Sequence, residues 1–291
     1  MINTPLFLLK MDVPLRKVSL YVHALQDCYG NVTWQDVNST AYIEVYIYED
    51  ERLQNTSHIL NKINQLLSNH QLPTPQSMSV TPFQSQDWLT ASQNVTNPIS
   101  VGKFYIHGAK NPSVEEKINL VFDPGVAFGT GTHPTTKGCL LALSDFTEIP
   151  VKKVLDMGCG SGILGIAAAR LLDATVLAVD NAPLAIRATQ DNAKRNHVAH
   201  NIFAKHRNGY NDLRKDDIFD LIICNILSNT LCEMAPSLKQ HLAPSGKAIL
   251  SGLLENQQKS VIEAHEAMNL KLQKKIVMEK WVTLVFKNAK A

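Results

Sequence analysis

The sequence predicts an α/β protein in which a small α+β unit precedes a larger open sheet, mostly parallel, with helices on both faces. Three observations carry the prediction. A short apolar run, Val154-Leu155-Asp156-Met157, enters a loop with glycine at alternate positions (Gly158, Gly160, Gly162), and an Ala-rich helical stretch follows. Further apolar runs of strand length then alternate with helical patterns toward the C-terminal region. The first eighty or so residues instead read β-α-β-β-α-β, the split arrangement of a ferredoxin-like unit.

The elements of the first unit follow in order. Leu6 to Met11 reads as a strand, and Val13-Pro14 turns it. Leu15, Val18, Val22 and Leu25 recur at helical spacing, and Tyr29-Gly30-Asn31 closes that helix. Val32 to Val37 is a strand. Ala41 to Tyr48 alternates, with Ile43, Val45 and Ile47 on one face and Tyr42, Glu44, Tyr46 and Tyr48 on the other. A helix over His58 to Ser68 and a strand over Ser77 to Phe83 complete the unit. Residues 1–83 therefore form the first domain, a substrate-recognition module without a catalytic-looking cluster of titratable groups. Residues 84–98, polar and following Pro73, Pro75 and Pro82, form a linker.

The larger domain spans 99–291. Its predicted strands are Phe104-Tyr105-Ile106-His107, Asn119 to Phe122, Val154 to Met157, Ala174 to Val179, Ile202 to His206, Leu221 to Cys224, Lys247 to Ser251 and Trp281 to Phe286. Helices start at Gly162 and run from Pro183 to Asn196. In an open sheet of this kind ligands sit beyond the carboxyl ends of the strands, where Gly158, Asp180 and Asn225 fall.

Composition bounds the function classes. The 291 residues suffice for one large or two smaller cores, and 45% apolar with 19% charged residues is ordinary for a soluble globular chain. A formal charge of +2 and no long run of Lys and Arg give no nucleic-acid footprint, so no direct nucleic-acid role is expected. The five cysteines stand singly, without C-x-x-C pairing, as reduced cytosolic residues do. No metal is expected. Met1 to Arg16 carries neither a signal-peptide core nor a membrane span, so a cytoplasmic protein is expected; a monomer is the plain expectation, on which the sequence is otherwise silent.

The glycine spacing separates cofactor classes. A dinucleotide loop reads G-x-G-x-x-G; here it reads G-x-G-x-G after a strand-end acid, which resembles the S-adenosylmethionine loop of Rossmann-like methyltransferases. Such a loop alone also serves as a plain strand-to-helix turn. Asp180 adds the second signal: it ends the next apolar run, Thr175 to Val179, where an acid accepts hydrogen bonds from both ribose hydroxyls.

Two further segments bear on the acceptor. Asp123 to Thr136 holds three glycines, four threonines and His133, closed by Pro134 at a first helical position. His133 reads equally as a loop or capping histidine and as a general-base candidate, and Thr135 and Thr136 as N-terminal caps or ligand contacts. The strand Leu221 to Cys224 delivers Asn225, whose amide can orient an incoming amine. Ile226-Leu227-Ser228 follows, with no aromatic ring on which a flipped base would stack, so an aliphatic amine fits better. Cys159, inside the glycine loop, reads as a small packed side chain rather than a nucleophile.

FGTGTHPTT, VLDMGCGSGILGIAAA, AVDNAPLAI, CNIL and LSGLL, in this order, closely resemble the bacterial family of methyltransferases that act on ribosomal protein L-eleven (L11). Asp87-Trp88 and the closing Trp281-Val282-Thr283 also fit, and the resemblance is dense over residues 87–291. It implies a class I, Rossmann-like methyltransferase domain behind the ferredoxin-like one. It also implies S-adenosyl-L-methionine as cofactor, and lysine side-chain and N-terminal amines of L11, free or on the ribosome, as acceptors. Carried over by motif, the cofactor contacts are Thr136, Gly158, Asp180 and Asn225, with Asn225 also orienting the amine. The N-terminal domain is shorter and plainer than in many members. The alternatives are a related class I methyltransferase acting on another protein or a small amine, a nicotinamide-dependent oxidoreductase, and a non-catalytic ribosome-associated module.

Overall fold

A computed structural model describes residues 6–29, 32–37, 39–47, 55–83, 98–122, 131, 133–146, 150–211 and 213–289. The chain divides into two compact units, Met1–Asn94 and Val95–Ala291. The predicted linker falls almost wholly outside the described residues.

In the first unit the elements are β1 (Leu6–Pro14), α1 (Val18–Tyr29), β2 (Val32–Val37), β3 (Thr40–Ile47), α2 (Thr56–Asn69) and β4 (Ser77–Phe83). The strands form one antiparallel sheet in the order β2-β3-β1-β4, the ferredoxin-like arrangement. Alternation decides which face is covered: Leu9, Met11 and Val13 of β1 and Ile43, Val45 and Ile47 of β3 are fully buried, or nearly so, while Tyr42 is exposed. Helix α2 answers with Ile59, Ile63 and Leu67, four residues apart on one stripe. Its first turn is capped by Asn55, whose side chain accepts from the His58 N–H at 2.9 Å. Strand β1 runs through Val13-Pro14, where the sequence predicts a turn; the turn falls on the 3-10 residues Leu15–Lys17 instead.

The second unit opens with a three-stranded sheet of β5 (Ile99–Val101), β6 (Phe104–His107) and β7 (Ile118–Val121). There follow α3 (Pro134–Ser144), β8 (Lys153–Met157), α4 (Ile163–Leu172), β9 (Thr175–Asp180), α5 (Pro183–Arg195), β10 (Ile202–His206) and β11 (Phe219–Asn225). The chain ends with α6 (Ser228–His241), β12 (Leu242–Leu254), α7 (Gln258–Glu266), β13 (Leu270–Met278) and β14 (Trp281–Asn288). The main sheet has the order β10-β9-β8-β11-β12-β14-β13; its first five strands are parallel, and β14 and β13 are antiparallel.

The apolar runs are continuous because both faces are covered. Val154, Val176, Ile223, Ile249 and Val285 join Leu140 and Ile166 in the core beneath α3, α4 and α5. Leu155, Ile222, Leu250, Leu284 and Phe286 join Leu238 and Val261 beneath α6 and α7. No helix among the described residues is long and apolar enough to cross a membrane. Strand β13 is absent from the sequence-based strand set. Its alternation is broken by a register shift between Leu272 and Lys274, and three lysines dilute its apolar content.

The order reverses at β8: its neighbours are β9 on one side and β11 on the other, so the loops leaving β8 and β11 part company and open a crevice above the sheet. The small sheet packs into this body through Phe104, Ile106 and Leu120, and one buried side chain adds a hydrogen-bonded clip. Asn196, just past α5, accepts from the Val121 N–H at 2.7 Å and donates to the Val121 carbonyl at 2.9 Å. Asn196→Ala leaves both groups unpaired in a partly buried place, and we expect a loss of about 1 kcal/mol of unfolding free energy. Denaturant melts would read it, and an unchanged midpoint would show that the clip contributes nothing.

Candidate active site

The crevice is built on backbone. Gly158, Gly160 and Gly162 have φ of +72°, +55° and +81°, a region costly for residues with a Cβ. The loop is tied to β9 by the N–H groups of Gly158 and Cys159, which both donate to the Val179 carbonyl at 2.8 and 3.0 Å. Helix α5 supports it from behind. Thr189 Oγ1 donates to the Gly160 carbonyl at 3.1 Å, and Asn192 Nδ2 to the Ser161 carbonyl at 2.9 Å. A Cβ on Gly162 would lie 2.8 Å from the Thr189 side chain, so the glycine permits this close support.

Two carboxylates flank the loop in different environments. Asp156 is 1% exposed, and its Oδ2 accepts from the Gly165 N–H in the first turn of α4 at 2.8 Å. Burial pushes its pKa up to about 7 against the pull of that bond. Asp180, at the end of β9, is only partly buried. Its Oδ2 accepts from the Gly160 N–H and its Oδ1 from the Ala182 N–H, each at 2.9 Å. Burial raises its pKa, and the N–H groups of Ala182, Gly160 and Asn181 oppose the rise. An ionised carboxylate has about four acceptor directions, so capacity remains for further donors from the crevice.

Asn225 ends β11, in register with Ser251 of β12 and one residue beyond the Cys224–Met157 pair, which sets it beside Gly158. The next residue is held between two glycines. A Cβ on Gly158 would meet Ile226 Cγ2 at 2.5 Å, and one on Gly252, at φ +91°, would meet the Ile226 carbonyl oxygen at 2.2 Å. Below, Ser251 Oγ donates to the Val282 carbonyl at 3.0 Å and lies 2.8 Å from Thr283 Oγ1, a buried polar pair under the end of β12.

Helix α3 follows the threonine-rich segment. Of the threonine-rich segment, residues 123–130 and 132 lie outside the described residues. Gly131, at φ +86°, is wedged so that a Cβ would meet Ile106 Cδ1 at 2.6 Å and Ile163 Cδ1 at 3.2 Å, which sets the entry to α3 against the start of α4. His133 is the N-cap: its side chain accepts from the Thr135 N–H, and its ring stands edge-on to Trp281 with centroids 4.8 Å apart. Thr136 is 1% exposed, and its hydroxyl has no hydrogen-bond partner among the described residues.

Of the sequence-derived residues, Asp180 is bonded directly to the glycine loop and Asn225 borders Gly158. Thr136 enters from α3, whose start touches α4. Cys159 lies packed beneath the loop, its thiol accepting from Thr189 Oγ1 and its pKa driven well up by burial, which disfavours the thiolate. Sequence reasoning missed Thr189, Ser251 and the part played by Gly252; only Gly252 leaves a local signal, as a glycine inside a strand run.

The arrangement suits a ligand with a hydroxylated sugar: bare backbone for close approach, an acid for hydroxyls, an amide at the rim. Gly252→Ala would drive a methyl into the Ile226 carbonyl, a backbone group that cannot swing aside. We expect a loss of about 1–3 kcal/mol in unfolding free energy. A variant as stable as the parent would show that the Asn225–Ile226 segment yields freely.

Comparisons with known proteins add the following. A family model described as ribosomal protein L11 methyltransferase (PrmA) matches residues 21–289. A ribosomal protein L11 methyltransferase of Brucella suis is 41% identical over 207 residues, 69% of this chain and 72% of its own. Another, of Rhizobium meliloti, is 41% identical over 203 residues, 68% of this chain and 70% of its own. The crystal structure of a ribosomal protein L11 methylase from Lactobacillus delbrueckii subsp. bulgaricus superposes with a TM-score of 0.61 at 29% identity, covering 66% of this chain and 99% of that one.

Proposed function

Because this chain belongs to the ribosomal protein L11 methyltransferase family, we propose that it transfers methyl groups from S-adenosylmethionine to lysine and N-terminal amines of ribosomal protein L11. The observation that carries this is the bond between Asp180 and the Gly160 N–H, which joins a ribose-reading acid to a glycine loop at the strand-order reversal. The cofactor's fit is supported by the buried, unpartnered Thr136 hydroxyl and by three loop glycines in left-handed conformation.

When bound, S-adenosylmethionine supplies an electrophilic methyl on a sulfonium. Asp180 accepts the ribose hydroxyls, the loop around Gly158 offers backbone for close approach, and Thr136 supplies its hydroxyl from α3. With the cofactor bound, the acceptor amine would take its methyl with the lone pair, a neutral thioether would remain, and the amine proton would pass to water. A free lysine amine, with a pKa near ~10.4, is mostly protonated at neutral pH. A water-poor crevice next to a cationic sulfur disfavours the ammonium and frees the lone pair. Asn225 accepts an amine N–H and aligns it.

His133 does not serve as general base in this scheme. Its Nδ1 is already engaged by Thr135, through the N–H at 3.3 Å and the hydroxyl at 2.8 Å. The ferredoxin-like unit recognises L11, free or on the ribosome, and the enzyme works as a monomer in the cytoplasm, where ribosomes are assembled and act.

The test is transfer of labelled methyl from S-adenosylmethionine to purified L11, free and in ribosomes, read by intact mass. Mass gains in steps of one methyl are expected; cofactor binding without transfer to L11 would overturn the acceptor. Asp180→Ala should weaken cofactor binding about 10- to 100-fold, the worth of hydrogen bonds to a charged acceptor. Asn225→Ala should lower kcat by about ten-fold or more at saturating cofactor, and a parental kcat would remove Asn225 from amine alignment.

A further inference from the structure

Histidine is not among the residues favoured at a helix N-cap, yet His133 holds that position on α3. Its Nδ1 lies 3.3 Å from the Thr135 N–H and 2.8 Å from Thr135 Oγ1, while its carbonyl takes the first intrahelical bond, from the Lys137 N–H at 3.1 Å. The Thr135 N–H can only donate, so Nδ1 must be an acceptor and the ring proton sits on Nε2. The ring meets Trp281 at 4.8 Å and 68°, an edge contact with the first residue of β14. The same first turn carries the buried Thr136 hydroxyl, and Gly131 sets the approach to α3 against Ile163 at the start of α4. A shift of the α3 terminus therefore reaches both Thr136 and the end of the glycine loop.

We infer that His133 and Trp281 act as a positioning pair, which holds the first turn of α3 in its cofactor-binding place only while His133 is the neutral imidazole. The inference rests on the proposed function, since it takes the occupant of the crevice to be S-adenosylmethionine. An imidazolium carries N–H on both nitrogens and has no acceptor for the Thr135 N–H. It also puts a positive charge at a helix N-terminus, where the backbone dipoles oppose it. Among the described residues, Trp281 and Glu279 act on the ring from the β13–β14 side and Lys137 and Thr135 from α3. Burial lowers the His133 pKa below the ordinary histidine range, Glu279 resists, and Lys137 adds to the lowering. The neutral ring is thereby favoured, and the acceptor for the Thr135 N–H is lost as pH falls through the lowered His133 pKa.

The experiment is calorimetric titration of the full chain with S-adenosylmethionine between pH 5 and 8, with melting curves as a check of folding. His133→Asn keeps a neutral cap acceptor at every pH. From pH 7 to 5 the parent should lose about five-fold more affinity than His133→Asn, the size of a lost N-cap. Titration of Asp180 is common to both and cancels in the comparison. Trp281→Ala should weaken binding about five-fold at pH 7, and Trp281→Phe, which keeps a ring edge, should restore most of it. At saturating cofactor His133→Asn should retain the parental kcat with L11. Superimposable pH profiles for parent and His133→Asn would overturn the inference, as would a collapse of kcat at saturation, which would make His133 a base. Failure of the parent to bind the cofactor at any pH would instead count against the proposed function.

Discussion

The active end of this molecule is organised by one charge-assisted contact, the Asp180 carboxylate accepting the Gly160 N–H at 2.9 Å. The bond fastens the middle of the glycine loop to the end of β9, while two N–H groups at the start of the loop donate to Val179 one residue earlier. A loop of three glycines has little conformational preference of its own, and glycine loses more freedom on ordering than any other residue. External bonds therefore fix the loop. The contact also orients Asp180, because a carboxylate with one oxygen on Gly160 and the other on Ala182 has a settled plane. Charge-assisted bonds of this kind are short and strong enough to oppose the desolvation that raises the Asp180 pKa.

Close approach recurs around the crevice, with a different partner each time. Gly162 admits Thr189, Gly165 admits Asp156, Gly158 and Gly252 admit Ile226, and Gly131 admits Ile106 and Ile163. These contacts draw the N-terminus of α4, the end of β11 and the entry to α3 inward without interposed side chains. The crevice is consequently lined by peptide groups and by a few polar side chains whose own positions are determined from beneath. Ser251, Thr283, Thr189 and Asn192 touch the crevice only through what they hold.

What could be read in the sequence was what the backbone itself demands. Gly158, Gly160 and Gly162 show as a spacing because positive φ at alternate positions has a narrow residue requirement, and Asp180 shows because it ends an apolar run. Asn225 shows for the same reason, at the end of β11. Thr189 and Asn192 could not be read so, since polar residues inside an amphipathic helix look alike whether they face solvent or a loop carbonyl. Strand β13 escaped because a register shift between Leu272 and Lys274 destroys the period of two on which strand recognition depends. At α3 the sequence leaves the cap open between His133 and the two threonines; His133 is the cap, and its ring meets Trp281, far along the chain and invisible to local reading.

Asp156 shows how the site is favoured over stability. A carboxyl buried to 1% exposure, with its pKa near 7, binds a proton in the folded chain that it has already released in the unfolded one between about pH 4 and 7. Across that window the folded state therefore loses stability as pH rises, the reverse of a salt-bridged acid. An apolar residue at the end of β8 would remove the penalty. It would also leave the Gly165 N–H in the first turn of α4 without its acceptor, and Gly165 stands where a Cβ would lie 2.9 Å from Asp156 Oδ2. The acid thus seats the helix whose N-terminus closes the glycine loop, and it adds negative potential beneath a crevice proposed to receive a sulfonium. A group that is unfavourable in the empty fold becomes favourable when a cation lies above it, so part of its cost is offset only in the bound state.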